Sequence, residues 1–168
     1  IYKTDPILKE KNQFIADVYM KLTGQITGRK IVLSLVANQI LEGIYFHAGF
    51  AAMYALGKSG KMLGSSQMIK FINRDENVHL ALFQHMINST RQERPELFTA
   101  ELEKEIREMF RQAVELESKW GIYITNGQIL GFTDAIISQY IQHLADQRLK
   151  AIGYKPEYNV SNPIPWVD

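Results

Sequence analysis

The sequence predicts an all-α fold, a bundle of long helices, on three observations. Apolar residues recur at three- and four-residue steps through most of the chain, and cap and stop residues bracket each such run. No stretch shows the two-residue alternation of a half-buried strand.

Asp5-Pro6 is a cap followed by a first-turn proline, and Gly24 closes the segment it opens, so residues 6–23 are expected as the first helix. The run from Ile31 to Leu56 is the most apolar and ends in GKSG at 57–60. A second long run, from about Met62 to Thr90, ends before Pro95 and is expected to fold back on the first as a helical hairpin. Glu101 to about Gly121 is charged and amphipathic, ITNGQILGF breaks the chain, and Thr133–Ile152 is amphipathic again with Gly153 as its stop. From residue 154 the composition changes to YKPEYNVSNPIPWVD, whose prolines cannot continue a helix. The expected organisation is therefore a helical bundle segment over 1–153 and an extended tail over 154–168.

Composition narrows the function. The 168 residues are 46% apolar and 22% charged, which suits one core of ordinary size. A net charge of +1 with interspersed signs gives no footprint for nucleic acid or an acidic membrane surface. With no cysteine, disulfides, thiolate metal sites and a redox dithiol are excluded, so any metal must sit on oxygen and nitrogen. The chain starts at Ile1 with no signal peptide, which reads as a fragment or a processed product. Residues 31–56 are long enough to cross a bilayer, but Glu42 near the middle would be costly in lipid, and a buried bundle helix is expected instead.

That acid lies on the stripe Leu35, Gln39, Glu42, Phe46, Gly49, Met53. On the next helix Met68, Ile72, Glu76, His79 and Phe83 share one face. Glu42 and Glu76 are each 17 residues from Ser59 in the turn, so the hairpin brings them level, roughly 25 Å from its tip. Two carboxylates buried at one level repel unless a cation lies between them, and His79 cannot serve both and stay neutral. A metal ion resolves the conflict and takes the imidazole as a third ligand. The bland alternative is a solvated Glu76–His79 pair at i, i+3, which is common on helices. One Glu from one helix and a Glu-x-x-His from its neighbour is half the ligand set of ferritin-like dinuclear carboxylate bundles.

LEGIYFHAGF at 41–50, FINRDENVHLALFQHMIN at 71–88 and NPIPW at 162–166 together resemble the small (beta) subunit of class I ribonucleotide reductase, over its second half. The resemblance implies a ferritin-like bundle of which this chain is the second half only. It implies Glu42, Glu76 and His79 as ligands of the second metal of a dinuclear centre, with Glu42 or Glu76 bridging. Fe/Fe is the implied pair, with Mn/Fe or Mn/Mn as variants. Phe46, Phe50 and Ile72 match the apolar positions around the radical site, with plain core packing as the alternative. Asp75 matches a carboxylate that hydrogen-bonds a ligand histidine and carries electron and proton transfer, with an outward helix charge as its alternative; Arg74 balances local charge. His47, His85 and His143 match no ligand and read as structural or surface residues. The first metal's ligands and the radical tyrosine would precede Ile1, and the acidic tail would follow Asp168.

The activity so implied is cytoplasmic: oxygen activation at the dinuclear centre, and delivery of the oxidising equivalent to a large subunit that reduces ribonucleotides. Implied partners are the preceding half, a second complete small subunit and the large subunit, with no nucleic acid and no membrane. Two other readings remain at this stage, a related diiron oxidase acting on a lipid or hydrocarbon and a non-catalytic helical interaction domain.

Overall fold

A computed structural model describes residues 4–167; Ile1 and Asp168, the outer limits of the two expected segments, lie outside the described residues. Among the described residues six α-helices follow one another: α1 Pro6–Leu22, α2 Gly28–Gly43, α3 His47–Lys58, α4 Leu63–Glu93, α5 Ala100–Thr125 and α6 Asp134–Ala151, with a 3₁₀ turn at Pro95–Leu97. There is no strand among the described residues.

Local chemistry accounts for most of the ends. Asp5 accepts hydrogen bonds from the Ile7 and Leu8 amides, Thr27 from Lys30, Thr99 from Leu102 and Thr133 from Ile136, each satisfying a donor the helix leaves open. Asn126 closes α5 in the left-handed region at φ 45°, so the helix ends at Thr125, four residues beyond the expected Gly121.

One expectation fails. The run 31–56 is not a single helix but breaks between Gly43 and His47. Here the Tyr45 amide donates to Ile40 O, one residue wider than the α ladder, and His47 donates to Ile44 O, one residue tighter. No proline causes the break. Its freed backbone groups are met by distant side chains: Lys11 Nζ donates to Tyr45 O at 2.6 Å, Arg148 Nε to Gly43 O at 3.3 Å, and the Ala48 amide to Glu117 Oε1 at 3.0 Å.

α2 lies at the centre, packed by α1, α4, α5 and α6. Val32, Val36, Ile40 and Ile44 join Ile106, Phe110, Ile141 and Leu149 in one core. The stretch Gly28–Lys58 has the length and apolarity of a membrane span, and most of its apolar window is buried inside this core. α4 packs across α2 and α3 by one side alone. Its buried residues are Ser66, Leu80 and Ile87, while Met68, Phe71, Ile72, Val78, Leu82 and Met86 form an exposed apolar stripe.

The residues after Gly153 (φ 84°) return along the bundle. Tyr154 and Ile164 enter the core, and the buried Asp146 carboxylate accepts from the Glu157, Tyr158 and Val160 amides. Arg107 and Arg111 of α5 clamp Glu157 at 2.9 and 2.8 Å. The terminal segment is thus extended but strapped down.

Candidate metal centre

The last turn of α2 delivers Glu42, and the middle of α4 delivers Glu76 and His79 one turn apart. The helices meet closely here because residue 43 is glycine: a Cβ there would stand 2.9 Å from Leu80 Cδ1 and 3.0 Å from Arg148 Nε. His79 Nδ1 lies 3.1 Å from Glu76 Oε2 and 3.8 Å from Glu42 Oε2, and one donor atom from each of the three residues falls within 4.8 Å of the others. The two carboxylates are half-buried, with side chains 17% (Glu42) and 21% (Glu76) exposed, whereas His79 is 55% exposed. The second helix's stripe, expected to be buried, is divided: Met68, Ile72 and His79 are exposed, no described helix covering that side of α4, while Phe83 packs against the core.

The electrostatics are those of two acids that compete for one charge. Burial, then the Glu76 carboxylate, pushes Glu42 up to about 7, while a hydrogen bond from Glu42 holds Glu76 below the usual carboxylate range. The hydrogen bond with Glu76 raises His79. Two carboxylates and an imidazole on facing helices form a hard oxygen and nitrogen donor set suited to iron or manganese.

The other expected residues surround this cluster without joining it. Phe46 caps α3, is 39% exposed and stacks on the half-buried Phe50 at 6.1 Å between centroids. Both line a groove of about 440 Å³ with Leu41, Met53 and Ile69. Ile72 is exposed one turn before Glu76. Asp75 faces outward, its carboxylate accepting from Arg74 at 3.1 Å, and the His79 ring nitrogen meets Glu76 instead, whose carboxylate accepts. His47 is buried, and burial with the nearby Arg148 charge pulls its pKa down to about 3, so it is a neutral core residue. His85 is exposed, and His143 Nδ1 meets Val160 O at 3.2 Å.

Two groups near the cluster have little sequence signal. Asn38, one turn before Glu42, accepts from the Tyr19 hydroxyl at 3.0 Å, and Glu42 helps raise Tyr19's pKa after burial. The i, i+4 spacing to Glu42 is a weak signal for Asn38, and Tyr19, on another helix, has none. The buried ion pair Lys11–Glu117, 2.5 Å apart, is likewise invisible at 106 residues' separation.

A helical bundle presenting one Glu on a helix and a Glu-x-x-His on its neighbour has the pattern of half a dinuclear carboxylate protein. The chain belongs to the ribonucleotide reductase small-chain family, whose profile matches residues 1–163. It is 39% identical over 157 residues to the ribonucleoside-diphosphate reductase subunit beta of Treponema pallidum, covering 94% of this chain and 45% of that one. The subunit beta of Halalkalibacterium halodurans is 36% identical over 168 residues, covering 99% of this chain and 49% of the relative. Among solved structures, a ribonucleotide reductase R2 subunit from Clostridium botulinum superposes with a TM-score of 0.93 at 44% identity, over 99% of this chain and 53% of that one. The dimanganese(II) protein NrdF of Streptococcus sanguinis, at 23% identity and a TM-score of 0.78 over 98% of this chain and 56% of that one, shares the fold. The fold is all-helical and ferritin-like, and the chain spans about half the length of these relatives.

Proposed function

We propose that the chain is the metal-binding second half of a ribonucleoside-diphosphate reductase small subunit, bundle over 1–153 and tail over 154–168, and that Glu42, Glu76 and His79 hold one metal of its dinuclear centre. The convergence of these three donors within 4.8 Å carries the reading. Fe/Fe is the proposed pair; Mn/Fe and Mn/Mn use the same hard ligands. The second metal's ligands come from a preceding half, and complete subunits pair and work in the cytoplasm with a large subunit that reduces ribonucleoside diphosphates.

When bound, the metal pair supplies the oxidising equivalent that the large subunit requires. This chain's residues hold and shield it. Glu42 and Glu76 compensate the cation's charge, His79 adds a nitrogen, and Phe46, Phe50 and Ile72 keep water away. Asp75 offers a carboxylate on the open side of α4, where a histidine of the preceding half can accept its support.

The test is reduction of ribonucleoside diphosphate by the complete subunit, loaded with Fe(II) in air or with Mn(II), together with the large subunit. Deoxyribonucleotide formation is expected; none from a fully metallated subunit and a competent large subunit refutes the assignment. A second expectation concerns the shell. Phe46→Ser or Phe50→Ser is expected to leave metal content near that of the parent while the oxidised centre decays faster, as followed by absorbance. The stability loss should fall below the ~3–5 kcal/mol of a fully buried Phe, because neither ring is fully enclosed. Equal decay in mutant and parent reduces both rings to packing.

A further inference from the structure

The break between α2 and α3 separates Glu42, three residues before Tyr45, from Phe46 and Phe50 just after it. Because each residue of an α-helix turns the chain by about 100°, a single wide turn re-aims everything that follows relative to everything before. The Tyr45 amide bond to Ile40 O is such a turn, a feature that recurs at functional sites. A continuous helix would direct Glu42 and the two phenylalanines differently, so whatever holds the break open sets their relative aim.

Arg148 Nε meets Gly43 O at 3.3 Å, and two further charged side chains hold the rest of the break. Lys11 of α1 and Glu117 of α5 are both buried, and each reaches one side of the break: Lys11 Nζ takes up Tyr45 O at 2.6 Å, and Glu117 Oε1 takes the Ala48 amide at 3.0 Å. They are joined to each other at 2.5 Å, and the ammonium also sits 4.8 Å from the Tyr45 ring centroid and 5.7 Å from that of Trp120. Two helices, α1 and α5, are thus tied to two backbone groups that a regular helix would have satisfied by itself.

We propose that the Lys11–Glu117 pair is a positioning device, which locks the α2–α3 break and so fixes the aim of Glu42 and the Phe46–Phe50 shell at the metal centre. The pair is a poor choice for stability alone. Burial pushes Glu117 up to about 7 even though Lys11 and the Ala48 amide pull it down, so the ion pair only partly offsets its own desolvation. An apolar pair would fill the space at less cost, but it would leave Tyr45 O and the Ala48 amide without partners.

The proposal rests on the metal reading above, and its test separates the two. In the complete subunit, Lys11→Met/Glu117→Gln removes both charges together and leaves neither one orphaned. Co(II) is the probe, with affinity and visible ligand-field spectrum read alongside amide hydrogen exchange at residues 44–48, which needs no metal. The expected result is a folded variant with Co(II) binding about 10–100-fold weaker, as for residues that orient metal ligands. Its spectrum should be altered and exchange at the break faster. Lys11→Arg, which can keep both contacts, is expected to restore the parent spectrum. A folded double variant with parent affinity, spectrum and exchange overturns the proposal; so does failure of the double variant to fold, which makes the pair structural. If Glu42→Ala leaves Co(II) binding unchanged, the metal reading fails by itself, and the exchange result still decides whether the pair holds the break.

Discussion

Glu42→Ala in the complete subunit is expected to lose one metal of the pair and, with it, ribonucleotide reduction. Three donors converge here, and removing one leaves Glu76 and His79, too few to hold an ion against solvent. The loss of affinity should exceed the ~10–100-fold seen when mere supporting groups are removed. Glu76→Ala and His79→Ala are expected to act alike, as measured by metal stoichiometry after chelation and reloading. Glu42→Gln adds a test with the opposite sign. Glu42's folded pKa, near 7, lies above its unfolded value of 4.5, so the metal-free native state binds the extra proton and its stability falls as pH rises from 4.5 through 7. Removing the charge should therefore stabilise the metal-free protein at pH 8, on the order of 1–3 kcal/mol, with no gain below about pH 4.5. A Glu42–His79 pair kept for stability predicts a loss instead. Denaturant melts at the two pH values, with chelator present, decide between them.

The level of the two acids was legible because it depends only on rise per residue and the position of a turn. The one-residue irregularity at the break displaces neither acid far along the axis, so counting from Ser59 still works. The break itself was not legible. Helices are normally interrupted by proline, glycine pairs or inserted polar groups, and here the inserted groups belong to Lys11, Glu117 and Arg148, remote from LEGIYFHAG in sequence. Periodicity marked Met68, Ile72 and Phe83 as one apolar face, yet it carries no statement of what covers that face. Among the described residues nothing does for Met68 and Ile72, whereas Leu35, on the corresponding stripe of α2, is buried. Asp75 shows the same limit: R-D-E-x-x-H marks the carboxylate as a candidate, but within the described residues it meets only its neighbour Arg74.

That uncovered face carries the last expected result: the chain by itself binds metal weakly and self-associates, and adding the proposed preceding half reverses both. Met68, Phe71, Ile72, Val78, Leu82 and Met86 fall on one side of α4, and all are exposed, as is Phe46. A continuous apolar stripe of this length marks an interaction surface. It runs past His79, so helices of the proposed preceding half that covered the stripe would also close the open side of the candidate metal centre. Sedimentation of the chain alone should show concentration-dependent association, and its Fe(II) or Mn(II) affinity should be about 100-fold or more below that of the complete subunit, since one ion has only three protein ligands and open water. Mixing with the preceding half should yield a defined complex with two metals per reconstituted subunit. A symmetric pair of these chains is the instructive competitor. It would bring together two single Glu ligands and two Glu-x-x-His pairs, formally a full dinuclear set, provided the α4 faces are self-complementary. Two tightly held metals per dimer of the chain alone would show that they are, and would replace the preceding half by a second copy as the partner of this face.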